Sequence, residues 1–148
     1  MFDHPHIIEG GMTTDYRGVV RYVNDFQFTG IKRHYVVVNH RAGYVRAWHG
    51  HKGEAKYVTV PYGVVYICAV KVDDWSRPSK QAEIHRFTLS DNNPQILYIP
   101  PGYVNGFKTI TDGALALFFS DKTLEESKRD DYRFPWDYWG EAWGGGPR

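Results

Sequence analysis

Short β-rich segments separated by turn residues are the feature of this sequence that most limits its fold. Apolar runs at residues 35–38, 64–72 and 115–119 alternate with stretches rich in Gly, Pro, Asn and Asp, and few windows hold a helical period. Segments of this kind are typical of an all-β sandwich or barrel. A length of 148 residues suits one domain with a hydrophobic core of its own. We therefore expect a single all-β domain over residues 1–148.

The net charge and the lengths of the apolar runs indicate which kinds of partner the chain is not expected to bind. With 18 Lys and Arg against 17 Asp and Glu, the formal net charge is +1, which gives no electrostatic reason to expect nucleic-acid binding. No apolar run approaches the roughly 18 residues of a membrane span, and the first residues do not resemble a signal peptide. The single cysteine, Cys68, lies in an apolar run where a buried thiol is expected. These features predict a cytoplasmic protein with no membrane partner.

Two histidines at alternate positions form the centre of the candidate site. His49 and His51 lie in a predicted strand, where alternation directs both side chains to one face. The same alternation places Arg46 and Trp48 on the other face, unless a bulge intervenes. Neighbouring neutral imidazoles suit either metal ligation or proton transfer near pH 7. A pair of solvated surface histidines is the alternative interpretation.

The second half of the chain contains three further structural signals. Two prolines and two glycines within residues 96–107 indicate a strand that ends, bends and restarts. Thr123 and Glu126 have the spacing of a capping box, so a short helix is predicted there. The aromatic tail at residues 132–143 is expected to pack on the barrel or on a partner subunit, because exposed aromatic side chains would form an apolar patch. The glycine-rich end at residues 144–146 is expected to be loose.

Two motifs resemble the paired signature of the cupin superfamily. The matching residues are Gly43, His49, His51, Pro100, Gly102 and Asn105. The resemblance implies a double-stranded β-helix, the cupin jelly roll, here with a short C-terminal helix. In metal cupins a histidine stands where this chain has Asn105, and Glu54 comes slightly early for the glutamate ligand. Because an amide oxygen is a poor replacement for imidazole in a first-row metal site, we expect no metal and no cofactor.

A narrower resemblance covers about residues 13–120 and points to the dTDP-4-dehydrorhamnose 3,5-epimerase family. The matching pieces are Asp15-x-Arg17-Gly18, Arg46-Ala47-Trp48-His49, Lys56 and Ile99-Pro100-Pro101-Gly102-Tyr103-Val104-Asn105-Gly106-Phe107. These enzymes are jelly-roll dimers that act on nucleotide-linked 4-keto-6-deoxy sugars. The resemblance therefore implies a nucleotide-sugar substrate and a homodimer.

The resemblance also implies roles for individual residues. The histidine that matches His49 removes the proton next to the ketone, and the lysine that matches Lys56 lies by the ketone oxygen. The arginines that match Arg17 and Arg46 hold the diphosphate, although the local sequence around Arg17, taken alone, favours an ordinary surface arginine. Further substrate contacts are expected from Trp48, Tyr103 and Asn105.

The chain differs from the family mainly at the residue that would act as the acid. A C–H next to a ketone is weakly acidic, so an epimerase needs a base, a cation beside the oxygen and an acid on the other face. The family's acid is a tyrosine on the strand after the Pro-Gly motif, where this chain has Phe118 or Phe119. We expect Tyr35 or Tyr103 to serve instead, with His51 as a second proton carrier or enolate donor.

A sister family of the same fold, the sugar 3,4-ketoisomerases, offers an alternative. Its motif Arg-Gly-x-His-Ala-His-Lys is similar to residues 46–52, and Tyr35 fits its tyrosine on the preceding strand. The sequence thus predicts an isomerase, with epimerisation of a nucleoside-diphosphate 4-keto-6-deoxy sugar at C3 and/or C5 as the first hypothesis. The reaction would serve the synthesis of surface polysaccharides, such as O-antigen, or of deoxysugars. A ketoisomerase is the second hypothesis, and a non-catalytic sugar-binding cupin is the third.

Overall fold

A computed structural model describes residues 3–144, so Gly145 and Gly146 of the end predicted to be loose lie outside the described part. Twelve strands and one helix are present in that part. The first six strands are β1 (His6–Glu9), β2 (Gly11–Asp15), β3 (Gly18–Tyr22), β4 (Arg33–Val38), β5 (Val45–His51) and β6 (Lys56–Tyr62). The others are β7 (Val64–Lys71), β8 (Ile84–Ser90), β9 (Gln95–Ile99), β10 (Tyr103–Thr109), β11 (Leu115–Ser120) and β12 (Tyr132–Arg133), with helix α1 (Leu124–Lys128) before β12.

The strands form two antiparallel five-stranded sheets. The first sheet has the order β1-β9-β6-β11-β4 and the second the order β12-β5-β10-β7-β8, while β2 and β3 pair as a separate hairpin. Within residues 3–144, consecutive strands such as β5 and β6 or β9 and β10 lie in different sheets, so the chain crosses repeatedly from one sheet to the other. The result is the predicted jelly roll with a short helix near its C-terminal end.

The main core lies between the two sheets. Val58 of the first sheet and Val65, Ile67 and Ala69 of the second are almost fully buried there. These residues occupy alternate strand positions, as the period-2 pattern requires. Burying one such side chain contributes about 1.5–3 kcal/mol to the free energy of folding. The inward-facing side chains of both sheets therefore stabilise the packing of one sheet on the other.

The aromatic tail packs on the outer face of the second sheet, as the first of its two predicted locations requires. Trp48 of β5 is fully buried between Trp139 and Trp143, with ring centroids 5.1 Å away in both cases. The Trp48 indole Nε1 donates to the Trp136 carbonyl oxygen at 3.1 Å. Cys68 is buried in the same cluster, and burial raises the pKa of its thiol, which agrees with an inert structural cysteine.

The predicted capping box is present at the start of α1. The Thr123 hydroxyl accepts from the Glu126 backbone N–H at 3.2 Å, and the Glu126 carboxylate accepts from the Thr123 N–H at 3.0 Å. The helix spans Leu124–Lys128, within the polar stretch at residues 123–131 where a short helix was predicted. Within residues 3–144 no helix is long and apolar enough to cross a membrane.

A bulge in β5 changes which of its side chains share a face. His49 lies opposite Asn105 of β10, but Arg46 lies opposite Phe107, so two residues of β5 face the single residue Gly106. A Cβ atom on Gly106 would lie 2.5 Å from the Cβ of Ala47. The bulge therefore needs glycine at this point, and it turns Arg46 to the same side as the histidines.

Candidate active site

A cavity of about 450 Å3 opens between the two sheets and is closed on one side by the segment from α1 to β12. Its lining residues are Arg33, Tyr35, Val37, Arg46, His49, His51, Lys56, Asn105, Phe107, Phe118, Leu124, Ser127, Lys128, Asp131 and Arg133. Six of the nine residues singled out in the sequence are therefore brought together: Tyr35, Arg46, His49, His51, Lys56 and Asn105.

His49 is set up to accept a proton. It lies on β5 opposite Asn105 of β10, where it lines the cavity and is partly buried. Burial lowers its pKa to about 4, and the positive charges of Arg133 and Lys56 act in the same direction. The imidazole is thus neutral at physiological pH, which is the state that a general base requires.

His51 is held in one tautomer by the backbone. Its side chain is only 5% exposed, and its Nδ1 is hydrogen-bonded to the Asp130 carbonyl oxygen. A carbonyl oxygen can only accept, so Nδ1 carries the hydrogen and Nε2 keeps the free lone pair. The Asp130 carboxylate in turn accepts from the backbone N–H groups of Lys52 and Gly53, both at 2.8 Å. This clamp ties the end of β5 to the segment that closes the cavity.

Lys56 and Tyr35 enter the cavity from the first sheet. Lys56 is 7% exposed, and burial lowers its pKa to about 8 although Glu54 opposes the shift. Its Nζ lies 5.8 Å from the Tyr35 ring and 6.0 Å from the Phe118 ring. Burial raises the pKa of Tyr35, so its hydroxyl stays protonated and can donate. A cation and a neutral donor therefore stand side by side.

Phe118, and not Phe119, occupies the cavity wall where the family's tyrosine is expected. The Phe118 ring is stacked on Tyr35 with centroids 5.0 Å apart and an interplanar angle of 7°. Phe119 points to the opposite face of the sheet, where it packs on Phe26 at 5.3 Å. The tyrosine that faces the cavity is thus supplied by β4, the neighbouring strand of β11.

The charge of the cavity suits an anionic ligand. Five of the lining side chains are cationic and one is anionic: Arg33, Arg46, Lys56, Lys128 and Arg133 against Asp131. Arg46 is oriented by Asn39, whose Oδ1 accepts from the Arg46 Nε at 2.7 Å. A concentration of fixed positive charge in a concave site attracts anions such as phosphates.

Three residues for which the sequence predicted a role in the site do not line this cavity. Trp48 is on the opposite face of β5, under the aromatic tail. Tyr103 is buried in the main core, and its hydroxyl donates to the Asp3 carbonyl oxygen at 3.3 Å. Arg17 is 75% exposed in the β2–β3 hairpin, where it pairs with Asp15 at 2.7 Å. None of the three lines the cavity of its own chain.

Several residues that line the cavity were not predicted from the sequence. Arg33 lies two positions before Tyr35 on β4, so strand alternation could have identified it. Asp131 and Arg133 follow the helix, and no local pattern signals that this segment returns to the cavity. Across residues 3–144 the structure contains no group of three or more His, Cys, Asp or Glu side chains placed to hold a metal ion.

The fold and the cavity together define a cupin whose site combines paired histidines with several cations. The sequence model of the dTDP-4-dehydrorhamnose 3,5-epimerase family matches residues 3–137. The chain therefore belongs to this family. It is similar to a probable low-salt glycan biosynthesis epimerase of Haloferax volcanii, with 31% identity over 97 residues. That match covers 64% of this chain and 61% of the relative, so it spans less than two thirds of that protein's length.

Solved structures show the same fold at low sequence identity. A dTDP-4-dehydrorhamnose 3,5-epimerase from Bacillus anthracis with TDP and PPi bound superimposes with a TM-score of 0.79 at 19% identity, covering 97% of this chain and 87% of the other. A sugar 3,4-ketoisomerase from Thermoanaerobacterium thermosaccharolyticum in complex with TDP gives a TM-score of 0.68 at 23% identity, covering 96% of both chains. The 3,5-epimerases and the 3,4-ketoisomerases, the two classes of enzyme that the sequence resembles, thus share this fold.

Proposed function

We propose that this protein is an isomerase of nucleoside-diphosphate 4-keto-6-deoxy sugars that epimerises C3 and/or C5 through an enolate. Membership of the epimerase family supports this proposal. The observation that carries it is the arrangement of the cavity, where His49 of the second sheet faces Tyr35 and Lys56 of the first sheet. The product would enter surface-polysaccharide, such as O-antigen, or deoxysugar biosynthesis, in keeping with the glycan-biosynthesis name of the Haloferax relative.

The positions of these residues match the needs of inversion at a carbon next to a ketone. His49, neutral at physiological pH, takes the proton from one face of the sugar, and the C–H electron pair moves onto the ketone oxygen. The Lys56 ammonium stabilises the charge that this oxygen gains. The Tyr35 hydroxyl, which enters from the opposite sheet, returns a proton to the other face. The three roles are thus divided between the two sheets that enclose the substrate.

The nucleotide diphosphate is the part of the substrate that the remaining cations suit. Arg46, oriented by Asn39, and Arg133 present guanidinium groups at the cavity. A guanidinium can bind two phosphate oxygens at once, which fixes the orientation of the attached sugar. Asn105, opposite His49, is available for a neutral hydrogen bond to a sugar hydroxyl.

A 3,4-ketoisomerase is the second candidate function, and the position of His51 favours it. His49 and His51 lie on the same face of β5 and line the same cavity. Two imidazoles on one side of the substrate could take the proton from C3 and deliver one to C4, which moves the ketone from C4 to C3. A non-catalytic sugar-binding role, the third interpretation, predicts no chemistry at any carbon.

We further propose that the enzyme works as a homodimer in the cytoplasm, where soluble nucleotide sugars are available. The β2–β3 hairpin stands apart from both sheets and exposes apolar side chains, including Val20 at 65%. Val36 and Val38 are exposed on the outer face of the first sheet. In a dimer that covers these surfaces, Arg17 would reach a ligand of the neighbouring chain. A monomer in sedimentation analysis would contradict this arrangement.

The decisive experiment is proton NMR of the purified protein with dTDP-4-keto-6-deoxyglucose in deuterated water. Solvent exchange at C3 or C5 with the ketone still at C4 would establish an epimerase and identify the carbon. Migration of the ketone to C3 would select the ketoisomerase. Absence of both, also with CDP- and GDP-linked ketosugars, would leave a binding protein as the remaining function.

Replacement of the proposed base gives a matched test. His49→Ala is expected to lower turnover by a factor of about 100 or more, the usual contribution of a general base, while TDP binding stays nearly intact. His85→Ala is the control, because His85 lies on β8 outside the cavity. Full activity of His49→Ala would show that another group removes the proton.

A further inference from the structure

The resemblance to the epimerase family gives no role to a buried carboxylate next to the cavity. Glu54 lies between β5 and β6 and is only 2% exposed. Its Oε2 accepts from the Ser120 hydroxyl at 2.6 Å and from a terminal nitrogen of Arg33 at 3.3 Å. The same Arg33 nitrogen donates to the Ser127 hydroxyl at 3.2 Å. The carboxylate is thus anchored through one oxygen by Arg33 of β4 and Ser120 of β11, and Ser127 of α1 in turn holds Arg33.

The second oxygen of this carboxylate is directed at His51. Within residues 3–144 no group forms a hydrogen bond with Glu54 Oε1, although the atom is buried. It lies 3.5 Å from the His51 Nδ1. Leaving a buried polar atom without a hydrogen bond costs about 1–3 kcal/mol, so such an atom calls for an explanation. The histidine that it faces provides one.

The contact has its full effect only when His51 is protonated. The neutral ring already donates its Nδ1 hydrogen to the Asp130 carbonyl, so Nε2 is the atom that takes up a proton. The resulting imidazolium spreads positive charge over both nitrogens, and Glu54 lies beside one of them. Burial and the charge of Lys56 lower the pKa of His51, whereas Glu54 and Asp130 raise it.

The two histidines therefore differ in their surroundings. The charged groups that lower the pKa of His49 most are the cations Arg133 and Lys56, and Asp131 acts in the opposite direction. His51 has a buried carboxylate within 3.5 Å. Of the two rings, His51 is the one whose protonated form has a dedicated partner.

We propose that Glu54 is a positioning residue that holds and stabilises His51 as the second proton carrier of the site, an inference that rests on the proposed function. In the ketoisomerase reaction, Nε2 of His51 accepts the proton from C3 of the sugar while the C–H electron pair moves to the C4 ketone oxygen. The C3 hydroxyl proton passes to that oxygen and Nε2 returns its proton to C4, so the ketone moves to C3 and the imidazole ends neutral. Arg33 and Ser120 keep Glu54 in place for both transfers.

The first test measures His51 directly and needs no substrate. Nitrogen-15 NMR of histidine-labelled protein follows protonation of the seven imidazoles with pH, and His51→Gln assigns the His51 signals. In Glu54→Gln the midpoint of His51 protonation is expected to move to lower pH, because the favourable negative charge is lost. Glu125→Gln on the exposed side of α1 is the control and should leave it unchanged. An unchanged midpoint in Glu54→Gln would overturn the proposal.

The second test measures turnover in the same variants. Glu54→Gln should lower kcat by a factor of about 10 or more with little change in KM, since general acid–base groups contribute about 100-fold or more. Glu54→Asp keeps the charge but withdraws it by one methylene group, so smaller effects on both readouts are expected, and it replaces Glu54→Gln if that variant does not fold. A wild-type kcat in Glu54→Gln would also overturn the proposal. If the wild-type protein converts no ketosugar, the proposed function fails, and the His51 titration alone decides whether Glu54 acts on this ring.

Discussion

The activity of this protein should be confined between two pH limits that follow from the cavity. The proposed base His49 must be neutral, and its pKa is about 4. The proposed oxyanion partner Lys56 must be protonated, and its pKa is about 8. Activity is therefore lost as the pH falls through the His49 value and as it rises through the Lys56 value. The optimum is expected between them.

The size of the effect follows from the protonated fractions. With a pKa of about 8, about nine tenths of Lys56 is charged at pH 7 and about one tenth at pH 9. We thus expect kcat/KM at pH 9 to be about one tenth of its plateau value. On the acid side, half of His49 is neutral near pH 4, so kcat/KM should fall to about half there.

The assay records initial rates of deuterium exchange or product formation at constant ionic strength, with circular dichroism at each pH to verify folding. Lys56→Arg should remove the alkaline limit, since arginine remains charged throughout this range, although its plateau will be lower because the buried site is fitted to lysine. Lys52→Arg is the matched control, because Lys52 is exposed and lies over the Tyr132 ring at 5.0 Å. A wild-type kcat/KM that stays constant up to pH 10 would refute the role of the Lys56 charge.

Two further predictions concern ligand binding and stability. Asn39→Ala removes the acceptor that orients Arg46. TDP should then bind about tenfold more weakly by calorimetry, because a hydrogen bond to a charged group contributes about 1.5–3 kcal/mol. Unchanged affinity would show that Arg46 does not depend on Asn39 for its orientation. Trp48→Ala empties the fully buried position between the tail indoles, so urea unfolding should show a loss of about 3–5 kcal/mol. Tyr16→Ala, at a residue that is 97% exposed, should change stability by less than about 0.5 kcal/mol, and equal losses in both would contradict the packing of the tail.

The strands and the helix could be predicted from the sequence because their signals are local. Period-2 alternation, turn residues and the capping box at Thr123 depend only on neighbours in the chain. These signals indicate an all-β sandwich or barrel, and the resemblance of the paired histidines and the Pro-Gly motif to the cupin signature implied the jelly roll. The family model matches residues 3–137, which extends the resemblance beyond the range inferred from the motifs.

The side chains of the site were harder to place because their position depends on pairing between distant strands. Simple alternation puts Arg46 and Trp48 together on the face opposite His49. The bulge opposite Gly106 separates them, so Arg46 joins the cavity while Trp48 is buried under the tail. A bulge is set by the register of two strands, and the sequence of one strand does not reveal it.

The register of β4 and β11 also determines which tyrosine faces the cavity, because Phe118 stands where the family has its tyrosine. Phe118 and Tyr35 are direct cross-strand partners of β11 and β4, and their rings are stacked. A motif comparison along the chain records only that a tyrosine has become phenylalanine, which suggests a site without its acid. Cross-strand pairing places another tyrosine against the same ring, with a hydroxyl that stays protonated near Lys56. A tyrosine on the neighbouring strand thus places a hydroxyl donor in the same cavity. Replacement of the family tyrosine is therefore not by itself an argument against catalysis.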